Sequence, residues 1–197
     1  MTPPRHHIIA AALALAATVS ACHDGRHRYL PVPRRTAYSR LQLPPDSYHP
    51  VTIGGTTLDL NAAADTTGTV DNDGTAWLTA HYPDGMATLY ITVNRAGRDR
   101  LEAMIDNRVE RLSLNTGGAE SQVSSFTTPA GLDARVIVTP RLTPTPVQFI
   151  VTDHASLLVS GTAHVRDAAT APADSLAPVI EMLERDVTRL TTNISAR

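Results

Sequence analysis

The residues of this chain best placed to do chemistry are one cysteine, a scatter of histidines and several carboxylates. Cys22 is the only cysteine, which excludes an internal disulfide and a cysteine-based metal site. It ends the stretch Val19-Ser20-Ala21-Cys22, which follows an unbroken apolar run, Ile8 to Val19, and a start made positive by Arg5 with His6 and His7. That order reads as a signal peptide closed by a lipobox, with cleavage before Cys22 and acyl chains added to its sulfur and new amino group. The apolar run is about twelve residues long, short of the roughly twenty that cross a bilayer, so it serves export and is then removed. The alternative is an ordinary secretory peptide that leaves Cys22 a free thiol. No later segment of the sequence reads as a membrane span.

The other groups form weaker constellations. Asp71-Asn72-Asp73-Gly74 opens like a calcium loop, but such a loop needs a bidentate glutamate at its twelfth position, where this chain has Tyr82. A polar turn before the following strand is the expected structure. His49, His81, His154 and His164 lack metal-ligand spacing, and His81 meets His164 only if their strands pair in one register. Ser160-Gly161 lacks the preceding glycine and the strand-to-helix switch of a nucleophile elbow, so Ser160 reads as a strand residue. The acid pairs Asp99 with Glu102 and Glu184 with Asp186 fall on helices, outside their apolar stripes, and read as solvated. Every basic position other than histidine is arginine, so Schiff-base catalysis and a phosphate-loop lysine are excluded. A formal charge of −2 gives no field for nucleic acid. The residues point to no catalytic group, no metal and no cofactor.

The elements that would position these groups are set by periodicity. Residues 1–21 are the signal peptide, and residues 22–35, polar and basic with Pro31 and Pro33, read as a lipidated tether. Residues 36–197 form one domain. Ala37 to Leu43 suggests a first short strand, and Val51 to Leu60 one or two more, broken by Gly54-Gly55. Ala76 to Tyr82 and Met86 to Val93 flank Pro83-Asp84-Gly85 as a hairpin, with Ala87, Leu89, Ile91 and Val93 on the core face. Leu101, Met104, Ile105, Val109 and Leu112 recur at helical spacing, and Gly117-Gly118 ends that helix. Strands follow at Gln122 to Phe126, Ala134 to Thr139, Val147 to Thr152 and Leu157 to Val165, with a turn at Asp153 to Ser156. The last helix carries Leu176, Val179, Ile180, Leu183, Val187, Leu190 and Ile194 on one stripe, capped by Asp174 or Ser175, with Pro178 in its first turn. The expected fold is α+β, an antiparallel sheet of about six strands with an inserted helix and a C-terminal helix packed on it.

Several motifs also occur in a familiar order: Ala37-Tyr38-Ser39-Arg40-Leu41-Gln42-Leu43-Pro44, Trp77-Leu78 in a strand ending Tyr82-Pro83, Ala87-Thr88-Leu89-Tyr90, Thr145-Pro146-Val147-Gln148-Phe149, and Asp174-Ser175-Leu176-Ala177-Pro178-Val179. Together with the lipobox they resemble the gliding-motility lipoprotein GldD family of Bacteroidetes, over most of the mature chain. The resemblance implies a non-enzymatic envelope lipoprotein, held at a membrane on the periplasmic side by lipid (palmitate) on Cys22. It further implies association with envelope proteins of the gliding machinery and the type IX secretion apparatus, and no catalytic residues to carry over. Val51 to Asp73 departs from the pattern, with Gly54-Gly55 and Ala62-Ala63-Ala64 in place of a more aromatic, proline-containing strand pair. An envelope ligand-binding or carrier module using the sheet face is the alternative. The expected partner surface is Thr143, Pro144, Thr145, Pro146 and Gln148: two prolines keep the segment extended and exposed, and Gln148 turns away from the core face of Val147, Phe149 and Val151. The rival reading is that Gln148 satisfies a neighbouring backbone.

Overall fold

Strict alternation in Ala87–Arg95 buries Ala87, Leu89, Ile91 and Val93 on one face and leaves Thr88, Tyr90 and Thr92 more accessible on the other, and the strands beside it inherit that division through their register. The computed structural model describes residues 42–140, 143–168 and 173–196. Its elements are β1 (Tyr48–Ile53), β2 (Thr56–Asn61), β3 (Asp65–Val70), β4 (Ala76–His81), β5 (Ala87–Arg95), α1 (Arg98–Thr116), β6 (Gln122–Thr127), β7 (Asp133–Val138), β8 (Val147–Thr152), β9 (Leu157–Val165), α2 (Ala173–Thr192) and β10 (Ser195–Ala196). The fold is α+β. A seven-stranded sheet runs β3-β4-β5-β9-β8-β7-β6, and a three-stranded sheet runs β1-β2-β10; every pairing is antiparallel. These residues belong to one compact unit, Arg40–Arg197.

The main core lies on one face of the large sheet. There Leu78, Leu89, Ile91, Val136, Phe149 and Val159 pack with Val179, Leu183, Val187 and Leu190 of α2 and with Leu58 and Leu60 of β2. α2 keeps the predicted stripe, with Met182 added to it. The helix already begins at Ala173, so Asp174 and Ser175 lie inside it rather than capping it, and Pro178 is interior. A second, smaller core on the opposite face joins Leu101 and Leu112 of α1 to Ile137, Ile150 and Leu158. On that helix Val109 is exposed, and Arg108 takes its expected inward place. With about 100° per residue, Leu101, Arg108, Leu112 and Asn115 share one face. Burial depresses the Arg108 guanidinium pKa, and Arg111 adds to the effect. Gly117, at φ 58, closes α1 in the left-handed conformation and donates its amide to Leu114.

Turns match their chemistry. Asp71 and Gly74 close the β3–β4 loop through Asp71 N to Thr75 O at 2.8 Å and Gly74 N to Asp71 O at 3.0 Å. Asp153 Oδ1 accepts the amides of Ala155, Ser156 and Leu157 at 2.9, 2.7 and 2.8 Å in the β8–β9 turn. Partial burial would raise that carboxyl, but these amides and the Ser156 hydroxyl hold it well below the usual carboxylate range. β3 and β10 lie outside the predicted strands. Gln42 to Ser47 form no strand, and residues 37–41 of the expected first strand lie outside the described residues.

Gly161 sits opposite both Ile91 and Phe149. A Cβ there would come within 2.5 Å of the Phe149 ring and 2.6 Å of the Tyr90 carbonyl, so Gly161→Ala is expected to cost about 1–3 kcal/mol through overpacking. Leu183, fully buried, should cost about 2–5 kcal/mol on truncation to Ala. Glu184→Ala, at a partly exposed position, should stay within about 0.5 kcal/mol. Urea melts of the three variants check all of these, and equal losses at 183 and 184 would refute the stripe.

Candidate functional site

Two polar assemblies interrupt the apolar layers. The first is built on Asp186, which the helical pattern had assigned to solvent but which is buried on α2. The correction has a simple cause: neutral donors reach this carboxylate from three other parts of the chain. Tyr48 Oη donates to Oδ1 at 2.7 Å, and Tyr82 Oη and Asn61 Nδ2 donate to Oδ2 at 2.9 and 3.1 Å. Asn61 Nδ2 also donates to the Pro45 carbonyl at 3.2 Å, and Asn61 Oδ1 accepts from Ala63 N at 3.0 Å. Outside this cluster, Arg185 pairs with Asp46 at 2.7 Å and Arg189 with Asp59 at 3.4 Å, while the Arg189 guanidinium lies 4.4 Å from the Tyr48 ring centroid. An open cleft lined by Asp46, Ser47, Tyr48, Arg185 and Arg189 runs along this seam.

The electrostatics follow from burial. Tyr82 has its hydroxyl pKa raised far above the ordinary range, first by desolvation and then by the charge and hydrogen bond of Asp186. Tyr48 is raised too, first by desolvation, then by its hydrogen bond to Asp186 and then by the charge of Asp186. Arg185 is raised too: burial works against its charge, but the Tyr48 hydroxyl, Asp46 and Asp186 outweigh it. The assembly is a clasp: it fixes residues 45–48 against the C-terminal helix.

The second assembly contains the proline lead-in. Pro144 is exposed and Thr145 half-buried, as an accessible segment requires. Thr143, Pro146 and Gln148 are buried, contrary to the expectation of a largely exposed stretch. Prolines remove amide donors but leave carbonyls, and these are used: Pro144 O accepts from Val165 N at 2.9 Å and Pro146 O from Thr139 N at 2.7 Å. The last turn of α1 covers the rest. Asn115 Nδ2 donates to Gln148 Oε1 at 3.1 Å, and Thr143 Oγ1 donates to the Asn115 carbonyl at 3.3 Å. Gln148 Nε2 and Ser160 Oγ are buried without a hydrogen-bond partner among the described residues.

The remaining candidates separate. His81 and His164 share a face but stand on β4 and β9 with β5 between them, each opposite Thr88. Ser160 is buried in β9. Cys22 lies outside the described residues. Sequence reasoning missed the clasp because tyrosine, asparagine and aspartate recur there at no fixed spacing. The one available signal was Asp186, three residues after Leu183 and four before Leu190, at helical spacing from both.

Truncating Asp186→Ala leaves Tyr82 and Asn61 without their acceptor, at about 1–3 kcal/mol for each buried group. Thermal melting should therefore show a large loss for this variant and little for Asp174→Ala, at an exposed position. The raised Tyr82 hydroxyl also fixes a pH dependence. The folded state keeps a proton that the unfolded chain releases near its ordinary value of 10.0, so the contribution is fully present below about pH 10 and lost above it. Tyr82→Phe should make the alkaline fall in melting temperature shallower; an unchanged slope would contradict the assignment.

A family model described as gliding motility lipoprotein GldD matches residues 28–195. No curated protein matches the chain.

Proposed function

Because the chain belongs to the gliding motility lipoprotein GldD family, we propose that it is a non-enzymatic accessory of the gliding and type IX secretion machinery, lipid-anchored through Cys22. The observation that carries this reading is the family match over residues 28–195, which takes in nearly all of the folded domain. No helix among the described residues is long and apolar enough to cross a membrane, which agrees with attachment by lipid. In this reading the Asp186 clasp receives the tether: it holds the entry of the chain to α2, so tension on the anchor meets a buried hydrogen-bond cluster rather than a free end. Docking on an envelope protein uses the proline lead-in. Pro144 and Thr145 offer the contact, while Asn115, Thr143, Pro146 and Gln148 hold them in place from behind.

Cys22→Ala should abolish labelling by a fatty-acid analogue and leave the precursor uncut. Maturation to the same size with partition into detergent would refute lipidation. For docking, Thr145→Arg should keep the melting temperature within a few degrees yet reduce co-purification of envelope proteins from native membranes. Gln148→Ala should instead destabilise the domain by about 1–3 kcal/mol, since it orphans Asn115 beneath the helix. Undiminished co-purification with Thr145→Arg would remove this surface from consideration.

A further inference from the structure

The outer face of the large sheet is covered over β7, β8 and β9 by α1, and over β3, β4 and β5 no helix of the described residues lies on it. On that open half stand Trp77, the only tryptophan of the chain, and Tyr90. They are 39% and 51% exposed and are the only exposed aromatic side chains among the described residues. Aromatic residues make up only 4% of the chain, so two of them exposed side by side is an uncommon use of a scarce residue. Trp77 is opposite Thr92, and Tyr90 opposite Thr79, which makes the two rings diagonal neighbours on adjacent strands, about 7 Å apart and within aromatic reach.

The surroundings select the ligand. Two cross-strand rows contain these rings: Thr69, Trp77, Thr92 and Ser160, and Thr67, Thr79, Tyr90 and Thr162. Every member other than the two aromatics bears a hydroxyl, and none is charged. None of the 17 arginines stands in these rows, and the next row of the same face is Asp65, His81, Thr88 and His164. An anionic ligand or lipid headgroup would require cations here. A partner helix would require an aliphatic face, and the aliphatic residues of β4 and β5 all point to the other side. What fits a surface of ring faces and hydroxyls over β3, β4 and β5, about 10 Å wide and bordered by the buried Ser160 on β9, is a ligand with apolar C–H faces and many uncharged hydroxyls.

We propose that this face is a binding platform for a neutral oligosaccharide, with Trp77 and Tyr90 stacking on sugar rings and Thr79, Thr92 and Thr162 exchanging hydrogen bonds with sugar hydroxyls. The site is separate from the proline lead-in and stands or falls independently of the docking reading. Its test uses the single tryptophan as reporter, in the full-length lipoprotein held in a sugar-free zwitterionic detergent. Titration with cellotetraose and with chitotetraose should change Trp77 fluorescence saturably for at least one of the two. Their difference shows whether N-acetyl groups are required. Tyr90→Ala should weaken the response on the order of tenfold. Thr79→Arg, which sets a charged chain between the rings, should abolish it while far-ultraviolet circular dichroism and the melting temperature stay near wild type. Absence of a saturable change with either sugar would overturn the proposal. A change that survives Thr79→Arg intact, or one produced only by added phosphatidylglycerol vesicles, would overturn it as well.

Discussion

Asp186 stands near the middle of the stripe through which α2 buries itself, between Leu183 and Leu190, which are 0% and 1% exposed. A carboxylate in that position is tolerable only if its oxygens are satisfied, because an unpaired buried charge costs several kcal/mol. Its donors come from Tyr48 in β1, from Asn61 at the end of β2 and from Tyr82 just after β4. Helix, small sheet and large sheet must therefore all be in place before the charge is compensated. This makes the cluster a specifying constraint: the apolar stripe alone would accept many rotations of the helix, while the three bonds accept one. The small sheet is held through Leu58 and Leu60, through Val51 and Ile53 packed partly buried on the same core, and through this cluster.

Much of this architecture was legible in the sequence where a single period decided it. β5, β6, β7, β8 and β9 and both helices lie within a few residues of the positions their sequences indicate, because β-prone runs bounded by turn residues, or a 3.6-residue repeat, mark each of them. β3 was not legible. Its sequence, Asp65-Thr66-Thr67-Gly68-Thr69-Val70, has one aliphatic residue and no alternation, and it is a strand because β4 pairs with it and Ile53 packs against Gly68. β10 has only two residues and exists by pairing with β2. On α1, spacing alone favoured Val109 over Arg108. A long arginine stem can lie on an apolar face while its head stays near water, so a charged residue can occupy a facing position that pattern reading reserves for an apolar one.

The proline segment shows a different limit. Its sequence indicates a non-helical approach to a strand, which here has a bend at Pro144, and strand alternation sends Gln148 away from Phe149. Whether that second face is open depends on α1, whose last turn arrives from more than thirty residues earlier in the chain. Residue type reports which groups a surface carries, but a distant element decides whether they are covered. Among the described residues Gln148 Nε2 and Ser160 Oγ have no hydrogen-bond partner, so on this face the polar contacts are less fully made than the apolar ones through Leu101 and Leu112.

The two faces of the large sheet consequently do different work. Tyr48, Asn61, Tyr82 and α2 all lie in the layer that closes the main core, on the core side of the sheet. Trp77 and Tyr90 lie on the opposite side, beyond a continuous hydrogen-bonded ladder from β3 to β9. Stacked layers of this kind lie about 10 Å apart. Across that ladder the Asp186 cluster and the Trp77–Tyr90 pair lie on opposite faces, and the outer face has Asp65, His81 and His164 in the row beside the rings.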